Sequence, residues 1–82
     1  MQIILSKTAG RYFERLNEPT LTRIYDALVR LAEDPPRGDI KKLEGRGEEY
    51  RLRIGSYRAL FTIEEDKIII TAIASRGQAY KE

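Results

Sequence analysis

Apolar and polar positions change their spacing along the chain, and this change divides it into helices and strands. Gln2–Leu5 is a short apolar run, which predicts a strand. Over Lys7–Leu16 the apolar residues recur at helical spacing. Ser6 stands directly before this segment and can cap its first turn. We therefore predict a strand followed at once by a first helix.

The second helix has the clearest pattern in the chain. Its apolar stripe contains Leu21, Ile24, Tyr25, Leu28, Leu31 and Ala32. Pro19 suits the start of this helix, and Pro35-Pro36 cannot continue it, so the pattern predicts an end at Asp34. A short turn between two consecutive helices indicates an antiparallel helical hairpin.

The second half of the chain changes to the period of two that is typical of strands. It predicts up to four strands, which cover Ile40–Leu43, Tyr50–Ile54, Tyr57–Ile63 and Lys67–Ala74. Lys67–Ala74 is apolar on both faces, so it should be a central strand. Gly55-Ser56 fits the two-residue turn of a β-hairpin, because Gly at the first central position suits a type II′ turn.

Together these elements predict an α+β fold. An N-terminal strand and a helical hairpin precede a three- to four-stranded, mainly antiparallel sheet, with both helices on one sheet face. At 82 residues the chain is long enough for one small core, so we expect a single domain over residues 1–82.

The predicted hairpin concentrates arginine on one face. Its register places Ile54 opposite Tyr57 and Arg53 opposite Arg58, and Arg51 shares the face of Arg53. No acid occurs between Tyr50 and Ile63. Like charges directly opposite each other destabilise a hairpin, so three guanidinium groups on one face indicate either a site for an anion or an ordinary solvated strand face. We expect this arginine patch (Arg51, Arg53 and Arg58) to be open to solvent, since the opposite face should meet the helices.

Composition narrows the chemistry. The sequence contains no Cys and no His, which removes thiolate metal sites and the usual general base. Acidic residues lack metal-ligand spacing, and no cofactor is expected. The net charge of +2 alone would not indicate nucleic acid; the local concentration of arginine does. No apolar run has the length of a membrane span, and no signal peptide is evident, so we expect a cytoplasmic protein.

Two further groups are weaker candidates for nucleic-acid binding. Lys41 and Lys42 precede the hairpin and could contact RNA, although such a pair is more often simply solvated. Arg76 should emerge at the end of the most buried strand, and Tyr80 follows it in a short polar tail. Tyr80 could stack on a base or fold back over the sheet.

Several short motifs then occur in a familiar order. They are Lys42-Leu43-Glu44-Gly45, Tyr50-Arg51-Leu52-Arg53, Tyr57-Arg58, Ile73-Ala74-Ser75-Arg76 and Tyr80. With the strand and helical hairpin before them, they resemble the RelE/ParE superfamily of type II toxins over nearly the whole chain.

The resemblance implies a RelE-like, microbial-RNase-like fold and a metal-independent endoribonuclease that cleaves mRNA on the ribosome. The 2′-hydroxyl of the substrate would attack the adjacent phosphate. The catalytic residues implied are Arg51, Arg53, Arg58, Arg76 and Tyr80, with Arg51 and Arg53 also positioning the RNA. The implied partner is an acidic antitoxin that folds on binding, in a toxin–antitoxin hetero-oligomer.

This sequence departs from many relatives at two places. It has Ala74-Ser75-Arg76 where they have Gly-His-Arg, and it has Arg at 51 and 53 where others have Lys. Arginine stays protonated at ordinary pH, so binding and charge stabilisation are better supported than proton transfer. A ParE-like inhibitor of DNA gyrase and a non-catalytic basic binding module are the alternatives.

Overall fold

The computed structural model describes residues 1–45 and 47–75. Two helices and five strands follow one another along the chain. They are β1 (Gln2–Leu5), α1 (Lys7–Glu14), α2 (Thr20–Leu31), β2 (Asp39–Lys42), β3 (Glu49–Ile54), β4 (Tyr57–Glu64) and β5 (Lys67–Ser75). The predicted α+β class and the order of its elements are confirmed.

The five strands form one sheet in the order β1-β5-β4-β3-β2. β1 runs parallel to β5, and every other neighbouring pair is antiparallel. β5 therefore has neighbours on both sides, as its apolar sequence predicted. A β-bulge interrupts the β4–β5 ladder between Leu60 and Phe61, where Thr71 is the extra residue and its hydroxyl donates to the Leu60 carbonyl.

Both helices begin where predicted and end slightly earlier. The Ser6 hydroxyl oxygen accepts a hydrogen bond from the Ala9 amide at 3.1 Å and so caps α1. α2 ends at Leu31 rather than at Asp34. After it, the Glu33 amide, before the two prolines, and the Arg37 amide, after them, both donate to the Arg30 carbonyl at the helix end.

The main core lies between the helices and one face of the sheet. It contains Ala9, Ile24, Ala27, Leu28, Leu31, Leu52, Ile54, Ala59, Phe61, Ile68, Ile70 and Ile73. Tyr50 stacks on Phe61 at its edge, with ring centroids 5.4 Å apart. The hairpin's apolar face therefore meets the helices as predicted, and its arginines project from the opposite, outer face.

Candidate functional site

The β3–β4 hairpin has the register that the sequence predicted. Arg53 pairs with Arg58, and Ile54 pairs with Tyr57. Gly55 adopts φ +59°, whereas Ser56 is not among the residues with positive φ, as a type II′ turn requires. A turn of two residues fixes the register of the two strands, so the two arginines are held opposite each other on the outer face.

Arg51 corrects the expectation that the whole arginine patch is open to solvent. It is 7% exposed, whereas Arg53 is exposed and Arg58 is half-buried. In β3 it lies between Lys41 of β2 and the buried Leu60 of β4. The hairpin pattern alone predicts Leu60 as a neighbour of Arg51 and does not predict Lys41.

An acid lies beside the patch, contrary to the expectation from the hairpin alone. Asp39 pairs with Arg53 across β2 and β3, and its Oδ1 is 3.8 Å from Nη2 of Arg51. The sequence placed Asp39 in the preceding loop, so it was missed as a site residue. Nη1 of Arg51 is buried and has no hydrogen-bond partner within residues 1–45 and 47–75. Arg51 is thus a buried cation with one partly exposed counter-charge.

The two other arginines border an open cleft at the turn. This hairpin cleft has a volume of about 440 Å³ and is lined by Arg53, Gly55, Ser56 and Arg58. Two guanidinium forks on opposite walls can give several directed N–H donors to the oxygens of one phosphate. Bound phosphate would also remove the repulsion between them. The geometry therefore suits a phosphodiester better than a neutral ligand.

Lys41 and Lys42 fall on different sides of the sheet. Lys41 is exposed opposite Arg51, on the outer face, where it extends the positive charge toward β2. Lys42 pairs with Tyr50 instead, and its Nζ is 3.6 Å from a carboxylate oxygen of Glu48. Of the two predicted RNA-binding lysines, only Lys41 lies with the arginine patch.

The remaining predicted site residues, Arg76 and Tyr80, lie outside the described residues. Within residues 1–45 and 47–75, no group of three or more His, Cys, Asp or Glu side chains could hold a metal ion. In the same part of the chain, neither helix has the length and apolar character needed to cross a membrane.

The family model described as the ParE toxin of the type II toxin–antitoxin system, parDE, matches residues 3–80. A relative named as the toxin RelE1, from Methanocaldococcus jannaschii, is 47% identical over 45 residues. That match spans 52% of this chain and 50% of the relative. These matches and the fold agree, and the chain belongs to the RelE/ParE superfamily of type II toxins.

Solved structures of other toxins share the fold. The archaeal RelE–RelB complex from Pyrococcus horikoshii OT3 contains a chain that is 28% identical, with a TM-score of 0.76 and coverage of 95% of this chain and 97% of that one. The isolated RelE toxin of E. coli is 15% identical, with a TM-score of 0.78 over 95% of this chain and 86% of its own. This second likeness is one of fold alone.

Proposed function

We propose that this toxin is a ribosome-dependent endoribonuclease that cleaves mRNA without a metal ion. The observation that carries the proposal is the pair Arg53 and Arg58, fixed opposite each other at the mouth of the hairpin cleft. Similarity to the M. jannaschii toxin RelE1 and to the RelE chain of the P. horikoshii complex supports the same function.

In the proposed reaction the substrate supplies its own nucleophile. The 2′-oxygen bonds to the adjacent phosphorus, the bond from phosphorus to the 5′-oxygen breaks, and the products are a 2′,3′-cyclic phosphate and a 5′-hydroxyl. Negative charge grows on the non-bridging oxygens during this step. Arg53 and Arg58 would donate hydrogen bonds to those oxygens, and preorganised donors of this kind lower such barriers by a few kcal/mol each, about 10²–10³ in rate.

Arg51 would act through position and charge and not through direct contact. It is buried behind Arg53 and held near Asp39, so its guanidinium cannot be presented to RNA as openly as the other two. Its charge still adds to the potential at the cleft, because a half-buried site screens charges less than open water does. We therefore assign RNA contact to Arg53 and Arg58 and a supporting role to Arg51.

Proton transfer needs a group other than these arginines, because a guanidinium does not lose its proton at ordinary pH. We assign Arg76 and Tyr80 to the site from the resemblance, with Arg76 as a further phosphate donor and Tyr80 as a base-stacking or proton-donating residue. Alignment of the 2′-hydroxyl with the phosphorus can supply much of the remaining rate.

The test is a translation extract that contains one defined mRNA. The unmodified toxin should cut inside codons, and Arg58→Ala should lower the cleavage rate by about 10²-fold or more. Arg23→Ala is a matched control, since it removes an exposed arginine of α2 and should cut normally. Intact mRNA with the unmodified toxin, or equal loss in both variants, would refute the proposal.

We also propose an acidic antitoxin segment as the partner that silences the toxin. The P. horikoshii chain was solved with RelB, and this chain has an apolar groove that a partner segment could fill. The groove is lined by Ile3, Leu5, Phe13, Tyr25, Leu28, Val29 and Ala32. Tyr25 is 58% exposed and Val29 is 52% exposed, which is unusual for large apolar side chains that share one helix face.

A charge placed in the groove tests this partner. Val29→Asp should weaken binding of the cognate antitoxin at least tenfold while mRNA cleavage continues, because the groove is remote from the proposed chemistry. Arg23→Asp, at an exposed position of α2 that is not among the described residues lining the groove, is the control and should bind normally. Equal binding by Val29→Asp would exclude the groove as the docking site.

The family model itself favours a second candidate, since it is named for the ParE toxin. In that case the chain would inhibit DNA gyrase and would have no nuclease activity. Gyrase-dependent DNA cleavage in the presence of the toxin, with mRNA left intact in the extract, would establish this candidate in place of the first.

A further inference from the structure

Helix α1 carries three basic side chains on one side. Lys7, Arg11 and Arg15 recur every four residues, from the first residue of the helix to its C-cap, and all three are exposed. At 1.5 Å per residue, neighbouring members stand about 6 Å apart along the axis. We call this row the α1 ridge.

Helix stability explains only part of the α1 ridge. Lys7 lies in the first turn, where the helix dipole disfavours a cation, and that turn contains no acid. No ion pair involves the three ridge residues within residues 1–45 and 47–75. By contrast, Arg37 next to α2 pairs with Glu33 at 3.3 Å. Arg11 in the last turn and Arg15 at the C-cap suit the helix dipole, so what the helix leaves unexplained is the cation at Lys7 and the exposure of all three side chains.

A second cleft opens beside the ridge. It has a volume of about 290 Å³ and is lined by Thr8, Arg11, Tyr12 and Arg15. Among the described residues it shares no lining residue with the hairpin cleft, so we treat it as a separate site. Tyr12 packs partly against the core, and only its remaining surface lines the cleft beside the two arginines. This arrangement suits a single nucleic-acid strand, because the cations can hold phosphates while the exposed part of the ring meets an unpaired base.

From these observations we infer that the α1 ridge is a second RNA-binding surface, which holds the phosphates of a single RNA strand in the cleft of Thr8, Arg11, Tyr12 and Arg15. The inference rests on the proposed function only in taking RNA as the polyanion. It adds a binding surface on the helical layer of the molecule, whereas the arginine patch is on the outer face of the sheet.

The surroundings of the ridge favour RNA over an acidic protein. Specific protein interfaces have an apolar or aromatic centre that excludes water. The exposed residues of the ridge and its cleft are Lys7, Thr8, Arg11 and Arg15, and the single aromatic residue among the described lining, Tyr12, is half-buried. The apolar groove for a protein partner contains Tyr25 and Val29 on α2 and none of the residues that line the cleft.

The test compares two double variants that remove the same charge. One is Arg11→Gln with Arg15→Gln, on the ridge; its control is Arg23→Gln with Arg30→Gln, which are exposed on α2. The probe is a fluorescent single-stranded RNA of twelve nucleotides whose 2′-hydroxyls are methylated, so that it binds but cannot be cleaved. Dissociation constants are measured from 50 to 300 mM NaCl, with the same RNA as a duplex and a glutamate-rich peptide as further probes.

We expect the ridge variant to bind the single strand roughly tenfold more weakly and the control to bind normally. The slope of log K against log salt should fall in magnitude by about 1.4 for two lost phosphate contacts. Equal loss in both variants, an equal effect on the duplex, or an equal effect on the peptide would overturn the inference.

This outcome is separable from the fate of the proposed function. The binding measurement needs no cleavage, so it can be repeated in the Arg58→Ala protein. Ridge-dependent RNA binding without any mRNA cleavage would support the ridge and refute the nuclease. Normal mRNA cleavage, with RNA binding unchanged when the ridge arginines are lost, would support the nuclease and refute the ridge as an RNA-binding surface.

Discussion

Asp39 provides a test of what sets the affinity of the arginine patch for phosphate. Its carboxylate is 3.8 Å from the buried Arg51, and Asp39 pairs with Arg53 on the neighbouring strand. It therefore competes with an incoming phosphate for the same cations, and it also repels that phosphate. Asp39→Asn removes the charge and keeps the size of the side chain, so it should raise the affinity for RNA.

The magnitude follows from the geometry. Asp39 is 61% exposed, so an effective dielectric constant between those of the protein surface and of water applies. A phosphate about 6 Å from the carboxylate would then be repelled by roughly 0.7–3 kcal/mol. The middle of that range corresponds to about a tenfold gain in affinity. The same change leaves Arg51 without its counter-charge and should cost about 1 kcal/mol of folding stability.

The assay is the binding of the methylated RNA at 100 mM NaCl, with thermal unfolding measured on the same samples. Glu64→Gln is the matched control, because it removes an acid from the far end of β4, six residues from Arg58. That is about 20 Å along the strand, a distance at which salt largely screens the charge. It should leave RNA affinity unchanged. Unchanged or weaker binding by folded Asp39→Asn would show that Asp39 does not oppose phosphate at this site.

Three further predictions concern the scaffold. Gly38→Ala should destabilise the protein by about 1–3 kcal/mol in urea unfolding, because φ is +140° and a Cβ would lie 2.6 Å from Leu52 Cδ1; Gly45→Ala, with open space around it, should cost less. Ser6→Ala should cost about 1 kcal/mol through loss of the α1 cap, and Ser6→Thr should recover most of it. Hydrogen bonds from the Thr22 side chain and backbone lower the pKa of Glu18 below 4.5. Their stabilising effect is therefore present above pH 4.5 and lost as the pH falls through the lower, folded-state pKa. Thr22→Ala removes the side-chain hydrogen bond and keeps the backbone one, so its acid unfolding titration should lose the larger part of this pH dependence and retain the rest.

The local parts of the fold were readable from the sequence. The hairpin register follows from alternation on both sides of Gly55-Ser56, and a two-residue turn permits only one pairing, so the opposition of Arg53 and Arg58 could be predicted. The apolar character of β5 on both faces predicted that it lies inside the sheet and not at an edge. Each of these depends on neighbours in sequence.

Features that depend on a distant strand were not readable. The burial of Arg51 and the approach of Asp39 both need the β2–β3 register. β2 has only four residues, and its Ile40 is flanked by charge, so the pattern gives its extent poorly. β2 was predicted to begin at Ile40 and begins at Asp39. Because of this one-residue difference, Asp39 was assigned to a loop although it lies in the strand beside the arginine patch.

The parallel pairing of β1 with β5 has a consequence for how the chain folds. Gln2 pairs with Lys67, so this ladder closes a loop that contains most of the chain, whereas the hairpin that holds Arg53 and Arg58 closes a loop of two residues. Closure entropy is lost before distant contacts form, and such contacts are therefore made late. The arginine pair should thus be assembled early, while the sheet becomes complete only when β1 joins β5.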